Sequence, residues 1–159
     1  VAFIGECRVA LTEMVDLADV KEDASIYSPL MLNFICEVFD EDLEKAVYRQ
    51  RLLTAIIKEE LERRGVKGVE RSGDDIFCPA PDGGKGKLSV SIATKSTVST
   101  LIHFGINIKT EGTPVKTSGL EFLGVDPRSF GNSILELFCE EFEDIFLARC
   151  KVRGVSELK

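Results

Sequence analysis

The stretch KLSVSIATKSTVSTLIHFGINIKT, residues 87–110, decides the fold because it alternates like two β-strands joined by a turn. One predicted face is apolar and suited to the core: Leu88, Val90, Ile92, Ile102, Phe104, Ile106 and Ile108. The opposite predicted face is small and polar: Lys87, Ser89, Ser91, Ala93, His103, Gly105, Asn107 and Lys109. We therefore expect the apolar face to meet helices and the polar face to line a ligand site.

Further strands are predicted on both sides of this hairpin. Alternation predicts strands at residues 1–11 and 30–40, and a strand–turn–strand unit at residues 66–80. The glycine-rich run PDGGKGK, residues 81–87, is expected to reverse the chain and lead into the hairpin. The polar segment before the second strand is predicted to be irregular, with a short helical turn near Met14.

Two long helices complete the pattern. The first is predicted over residues 40–65 and ends at Gly65, which suits the left-handed position after a helix. The second is predicted over residues 127–151, directly after Asp126, a good N-cap. Long helices beside one-faced strands predict an α+β fold, in which a mixed or antiparallel sheet carries its helices on one face.

Composition restricts the classes of protein to consider. The 159 residues carry a net charge of −7, with 44% hydrophobic and 30% charged residues, which fits one globular domain over residues 1–159. An acidic chain without a basic run is a poor nucleic-acid partner, and no apolar stretch is long enough to span a membrane. The chain begins as a strand already under way, which leaves open whether another segment precedes it.

Cysteine usage points to a reducing compartment. The five cysteines are odd in number and lack metal-ligand spacing, and the chain has a single histidine. We therefore expect free thiols, a cytoplasmic location and no metal centre built from cysteine and histidine.

Several residues of the predicted polar face have side chains whose chemistry suits ligand binding. Lys87 can neutralise a phosphate or carboxylate, although a solvated lysine at a strand end would look the same. His103 fits either a pocket wall or a structural histidine, and Gly105 fits close approach of a ligand or of another backbone, or a bulge. Asn107 offers a donor and an acceptor, and Ser89 lies beside Lys87 on the same predicted face.

Two neighbouring aspartates follow a glycine in the predicted turn. Asp74 and Asp75 could orient a metal-bound nucleotide, whereas ordinary turn chemistry would also place aspartate there. Together with the polar face of the hairpin, they predict one concave ligand site.

These segments resemble a known fold family. The runs LNFICEVF, LEKAVYRQRLLTAIIKEELERRG, SGDD, GKLSVSIA and IHFGINI resemble, in the same order, the core of biotin protein ligases and lipoate ligases. Those enzymes have the class II aminoacyl-tRNA synthetase-like fold. Through EMVD, GDDI, KLSVSIAT and GLEFLGVDP, nearly the whole chain resembles the uncharacterised, largely archaeal domain-of-unknown-function family 366.

The ligase resemblance implies a reaction. Such enzymes join a small carboxylic acid to ATP, with Mg, as an acyl-adenylate, and pass the acyl group to a lysine of a protein acceptor. The resemblance implies that Lys87 contacts the carboxylate and the α-phosphate, and that Asp74 and Asp75 occupy the position of an Asn-Asp turn. Gly105 and Asn107 fall on the Gly-Ile-Asn segment, and Ser89 and His103 would line the pocket.

The chain also departs from the ligase pattern. It lacks the arginine- and glycine-rich adenylate loop, and Val90 replaces a pocket-floor glycine. A non-catalytic small-ligand-binding or assembly module of the same fold is therefore the alternative hypothesis. A third is a structural protein that pairs with itself through an exposed sheet edge, as a homo-oligomer.

Overall fold

The computed structural model describes residues 1–10, 12, 15, 26–113 and 115–155. The turn predicted near Met14 lies outside these residues. The elements, in chain order, are β1 (Ala2–Val9), β2 (Ile26–Val38), α1 (Leu43–Arg63), β3 (Glu70–Ser72), β4 (Asp75–Pro79), β5 (Lys85–Lys87), β6 (Ser89–Lys95), β7 (Thr100–Lys109) and α2 (Pro127–Cys150).

The strands form two antiparallel sheets that run into one another. The larger has the order β1-β2-β7-β6 and the smaller has the order β3-β4-β5. Leu88, between β5 and β6, links the two sheets. Its N–H donates to Ile76 O in β4 at 2.7 Å, and its carbonyl accepts from Asn107 N in β7 at 2.9 Å.

Both helices pack on one side of the sheets, which we call the inner face. Helix α1 lies against β6, β7 and the smaller sheet, and α2 lies against β1 and α1. One core is formed by β2, α1, β4, β7, α2 and the segments between them: Leu32, Phe34, Leu53, Ile57, Leu61, Val66, Val69, Ile76, Cys78, Leu88, Phe104, Ile106, Ile108, Leu120, Val125, Phe130 and Ile134. The predicted α+β class is confirmed, and the described strand pairs are antiparallel.

The helix boundaries follow from local chemistry. Asp42 accepts from Lys45 N at 3.1 Å to begin α1, and Gly65 follows its end with a φ of +89°. Asp126 accepts from Ser129 N at 2.8 Å to begin α2. Each cap satisfies an amide that the helix leaves free. Both predicted helices are confirmed.

Strand β2 begins at Ile26, four residues before its predicted start at residue 30. Its first residues pair with β1, where Ile26 lies opposite Val9 and Ser28 opposite Cys7. Partner strands, rather than the polar local sequence, set this boundary.

The predicted faces of the hairpin are wrong for β6. Lys95 pairs with Thr100, so odd-numbered residues of β6 lie opposite even-numbered residues of β7. Ser89 therefore shares the inner face with Ile106, whereas Val90 shares the opposite face, which we call the outer face, with Gly105. A one-residue change of register moves every side chain of a strand to the other face.

The five cysteines are free thiols. Burial raises the pKa of Cys78 to about 12, and burial also raises the pKa values of Cys7 and Cys36. Buried thiols of this kind are poor nucleophiles. The cytoplasmic location stays a prediction.

Candidate ligand-binding site

Lys87 and Asp75 form an ion pair on the outer face of the smaller sheet. Lys87 lies opposite Phe77, on the side away from the buried Ile76 and Cys78. Its Nζ is 3.0 Å from Asp75 Oδ1, and the two side chains are 32% and 31% exposed. A pair this exposed is screened by water and contributes at most about 1 kcal/mol to stability. An anionic ligand can therefore compete with Asp75 for the lysine.

The backbone of Lys87 is held from two directions. Its N–H donates to Lys116 O at 3.0 Å, and its carbonyl accepts from Ser118 N at 3.1 Å. The same carbonyl accepts from Asn107 Nδ2 at 3.2 Å. Asn107 is only 4% exposed, and its amide is bonded to the backbone of Lys87. Its role in the structure is therefore to position the lysine.

The segment Lys116–Ser118 was not predicted from the sequence. It reaches Lys87 because Gly86 has no side chain. A Cβ at Gly86 would lie 2.6 Å from Thr117 O and 2.7 Å from Ser118 N. Glycine inside a strand is the sequence signal for such an approach, although it does not reveal which segment arrives.

Apolar side chains surround Gly105 on the outer face. A Cβ there would lie 3.1 Å from Met31 Sδ and 3.4 Å from Val90 Cγ2. The groups that approach Gly105 are therefore two side chains of the protein, rather than the ligand or backbone that the sequence predicted. We call Val90 and Met31, which meet at Gly105, the floor of the site, and Val90 is the residue that replaces a pocket-floor glycine of the ligase pattern.

His103 lies farther along β7 and is bonded to a residue that sequence reasoning missed. Its Nε2 is 2.9 Å from Asn33 Oδ1, and Asn33 Nδ2 donates to Met31 O at 3.3 Å. Burial lowers the pKa of His103, which favours the neutral imidazole. An asparagine at an interior strand position was the signal that could have identified Asn33, which is 2% exposed.

Asp74 and Ser89 do not join this group. Asp74 Oδ2 accepts from Gln50 Nε2 at 3.0 Å and from Ser91 Oγ at 2.9 Å. Asp74 Oδ1 is 3.0 Å from Arg51 Nη1, an ion pair without hydrogen-bond alignment. We call Asp74, Gln50, Ser91 and Arg51 the inner network.

Ser89 has a structural contact of its own. It is fully buried, and its Oγ accepts from Ile76 N at 3.0 Å. This bond gives a buried amide of β4 its acceptor at the point where the two sheets join. Since Ser89 and Asp74 face the helices, the expectation that they share a concave face with Lys87 is wrong. The outer site comprises Asp75, Lys87, Asn107, Gly105, Val90, Met31, Asn33 and His103.

A cavity of about 330 Å³ lies elsewhere, between β1 and the first turns of α2, with Arg128 and Asn132 in its lining. Within the described ranges, no cluster of three or more His, Cys, Asp or Glu residues could hold a metal ion. No helix in this part of the chain is long and apolar enough to cross a membrane.

The family is shown by sequence. A family described as Domain of unknown function (DUF366) matches residues 1–153. The chain belongs to this family. An uncharacterised member of the curated proteins, from Methanocaldococcus jannaschii, is 43% identical over 131 residues, which are 79% of this chain and 57% of that protein. The chain therefore spans little more than half of that relative.

Solved structures show the same fold. A protein of unknown function from Pyrococcus horikoshi is 40% identical with a TM-score of 0.89, covering 97% of this chain and 80% of its own. Biotin protein ligase from Aquifex aeolicus, in complex with biotin and ATP, has a TM-score of 0.54 at 17% identity, over 71% of this chain and 50% of the ligase.

A second ligase has the same architecture. The bipartite lipoate protein ligase of Thermoplasma acidophilum has a TM-score of 0.54 at 13% identity, over 89% of this chain and 71% of that one. At such identities the similarity establishes the fold alone. The resemblance to the biotin and lipoate ligase fold is confirmed, and the activity is a separate question.

Proposed function

We propose that this chain binds a small carboxylic acid at the outer site and activates it as an acyl-adenylate, as a ligase or acyltransferase. The observation that supports this is the Lys87–Asp75 ion pair, 3.0 Å long, on a backbone fixed by three hydrogen bonds beside an apolar floor. The core shared by both sheets supports treating the described residues as one domain.

Lys87 would act by charge. A carboxylate or phosphate oxygen can replace Asp75 Oδ1 as the partner of Nζ, and the anchored backbone fixes the point from which the lysine side chain extends. Preorganised positive charge stabilises negative charge that develops in a transition state, because no reorganisation is needed at that moment.

The proposed reaction has two balanced steps. A carboxylate oxygen attacks the α-phosphorus of ATP, and the bond to the β-phosphate oxygen breaks, so that pyrophosphate leaves with the electron pair. An acceptor amine of a protein partner then attacks the acyl carbon and loses a proton, and AMP leaves. Lys87 would contact the oxygens that carry charge in the first step.

The two aspartates do not fit a shared magnesium ion. Both carboxylate oxygens of Asp74 are engaged in the inner network, whereas Asp75 faces the outer side. A magnesium site needs several oxygen ligands that converge on one point. We therefore route no step through a metal at Asp74, and only Asp75 is a candidate for orienting a nucleotide.

The alternative is a binding module that consumes no ATP. The observation that favours it is the floor, where Met31 is 1% exposed and packs with Val90 around Gly105. This version predicts that an acid binds without forming an adenylate.

Acid-dependent exchange between ATP and pyrophosphate tests the proposal, with biotin, lipoate, octanoate and amino acids as the panel. Lys87→Ala is the test variant, and Lys85→Ala, two residues earlier on β5, is its matched control. We expect exchange with one acid that is lost in Lys87→Ala and kept in Lys85→Ala.

Other outcomes separate the hypotheses. Acid binding by calorimetry without exchange would favour the binding module. An unfolded Lys87→Ala protein would assign Lys87 to structure, and equal exchange in both variants would contradict the proposed role.

A further inference from the structure

His103 and its partner Asn33 are polar residues of the outer site that the proposed reaction does not use. We infer that the acid bound at Lys87 carries a hydrogen-bond donor at its far end, and that Nδ1 of His103 accepts this bond. The inference rests on the proposed function, since it requires an acid whose carboxylate lies at Lys87.

The hydrogen bonds of Asn33 fix the tautomer of His103. A carbonyl oxygen can only accept, so the Asn33 group that contacts Met31 O at 3.3 Å is the NH₂ group. The Asn33 oxygen must then face His103, at 2.9 Å from Nε2. Since that oxygen also only accepts, Nε2 carries the proton.

This assignment leaves Nδ1 as an acceptor. In the neutral imidazole one nitrogen donates and the other accepts. Among the residues that the structure describes, no side chain or backbone group is hydrogen-bonded to Nδ1. Burial lowers the pKa of His103, which keeps the ring neutral and the lone pair on Nδ1 available at neutral pH.

The geometry of the sheet gives the spacing between the two ends of the site. Asn107 contacts the backbone of Lys87, and His103 precedes it by four residues on β7. At the rise of a strand, four residues span roughly 13 Å. Val90 and Met31 lie between these ends, around Gly105.

The site therefore has a cationic end, an apolar middle and an acceptor at the far end. An extended acid with a terminal hydroxyl or N–H group matches all three parts. An acid with a terminal ether of similar size would place its own lone pairs against Nδ1. A site built around a hydrogen bond discriminates against ligands that leave its polar group unpaired.

Two measurements test the inference. Because the chain has a single histidine, the ¹⁵N NMR signals of its ring report on His103 alone. We expect a protonated Nε2 and an unprotonated Nδ1 at neutral pH. The second measurement compares binding of ω-hydroxyoctanoate and ω-methoxyoctanoate by calorimetry, with the hydroxy acid binding about five- to tenfold more tightly.

The variants give distinct outcomes. His103→Phe should reduce the ratio of the two affinities to about one, whereas Lys87→Ala should weaken both acids. A protonated Nδ1, or equal affinities in the wild type, would overturn the inference even if both acids bind. If neither acid binds the wild type, the outer site itself is contradicted, and the inference fails with it.

Discussion

Asp74 and Asp75 are adjacent and identical in type, yet they belong to opposite sides of the molecule. Asp74 accepts two hydrogen bonds in the inner network and lies beside Arg51, whereas Asp75 contacts the lysine of the outer site. A residue with three partners inside the fold cannot leave them for a ligand at low cost. A residue with one partly exposed partner can.

The largest effect on stability is expected for the inner aspartate. Asp74→Ala removes the acceptor of Gln50 and Ser91 and the countercharge of Arg51, so the free energy of unfolding should fall by about 2 kcal/mol. Urea unfolding measures this change. Asp75→Ala is the matched control and should lose less than about 1 kcal/mol, because its ion pair is exposed. Equal losses would contradict the division between the two faces.

A smaller loss is expected at the junction of the sheets. Ser89→Ala leaves Ile76 N without its acceptor in a buried place and should lower the free energy of unfolding by about 1 kcal/mol. Acid binding at Lys87 should change little. A large loss of acid binding in a protein of unchanged stability would show that Ser89 belongs to the ligand site.

The outer pair allows a test in the opposite direction. Asp75→Asn removes the carboxylate that competes for Lys87, so an anionic ligand should bind roughly threefold more tightly, in line with the small energy of exposed ion pairs. Calorimetry with the best acid of the panel measures the change. Weaker binding would instead show that Asp75 holds the ligand, directly or through a metal.

The smallest effect is a dependence on pH. Burial lowers the pKa of His103 below its ordinary value of 6.5, so the unfolded chain takes up a proton before the folded chain does. The contribution of His103 to stability is therefore complete above pH 6.5 and declines as the pH falls through the folded pKa.

Thermal midpoints of the wild type and of His103→Phe, measured between pH 7.5 and 5, test this. Subtracting one midpoint from the other removes the pH dependence of the carboxylates, which both proteins share. A difference that does not change with pH would contradict a buried, neutral histidine.

The sequence predicted the elements better than their pairing. Both helices, their caps at Asp126 and Gly65, and the α+β class followed from local patterns. The faces of β6 did not, because they depend on how many residues join β6 to β7 and on the interruption at Leu88. Both features depend on the partner strands, and the sequence of a single strand does not reveal those partners.

The outer site could be predicted only in part, again because a single strand does not reveal its partners. Lys87, Asp75 and Gly105 stood out by residue type, and the structure places them on one face. Asn33 and the segment Lys116–Ser118 reach the site through pairing with other strands and a close approach to Gly86, so their sequences gave little indication of it.

The three hydrogen bonds on the backbone of Lys87 also determine which neighbouring positions can vary in sequence. They come from Lys116, Ser118 and Asn107, and each uses a backbone or amide group. The side chains at positions 116 and 118 take no part in these bonds, but the Ser118 hydroxyl is fully buried and donates to Pro79 O in β4 at 2.7 Å. Position 116, with a side chain that is 44% exposed, can therefore diverge among relatives while its backbone keeps the contact, whereas position 118 has to retain a small buried donor.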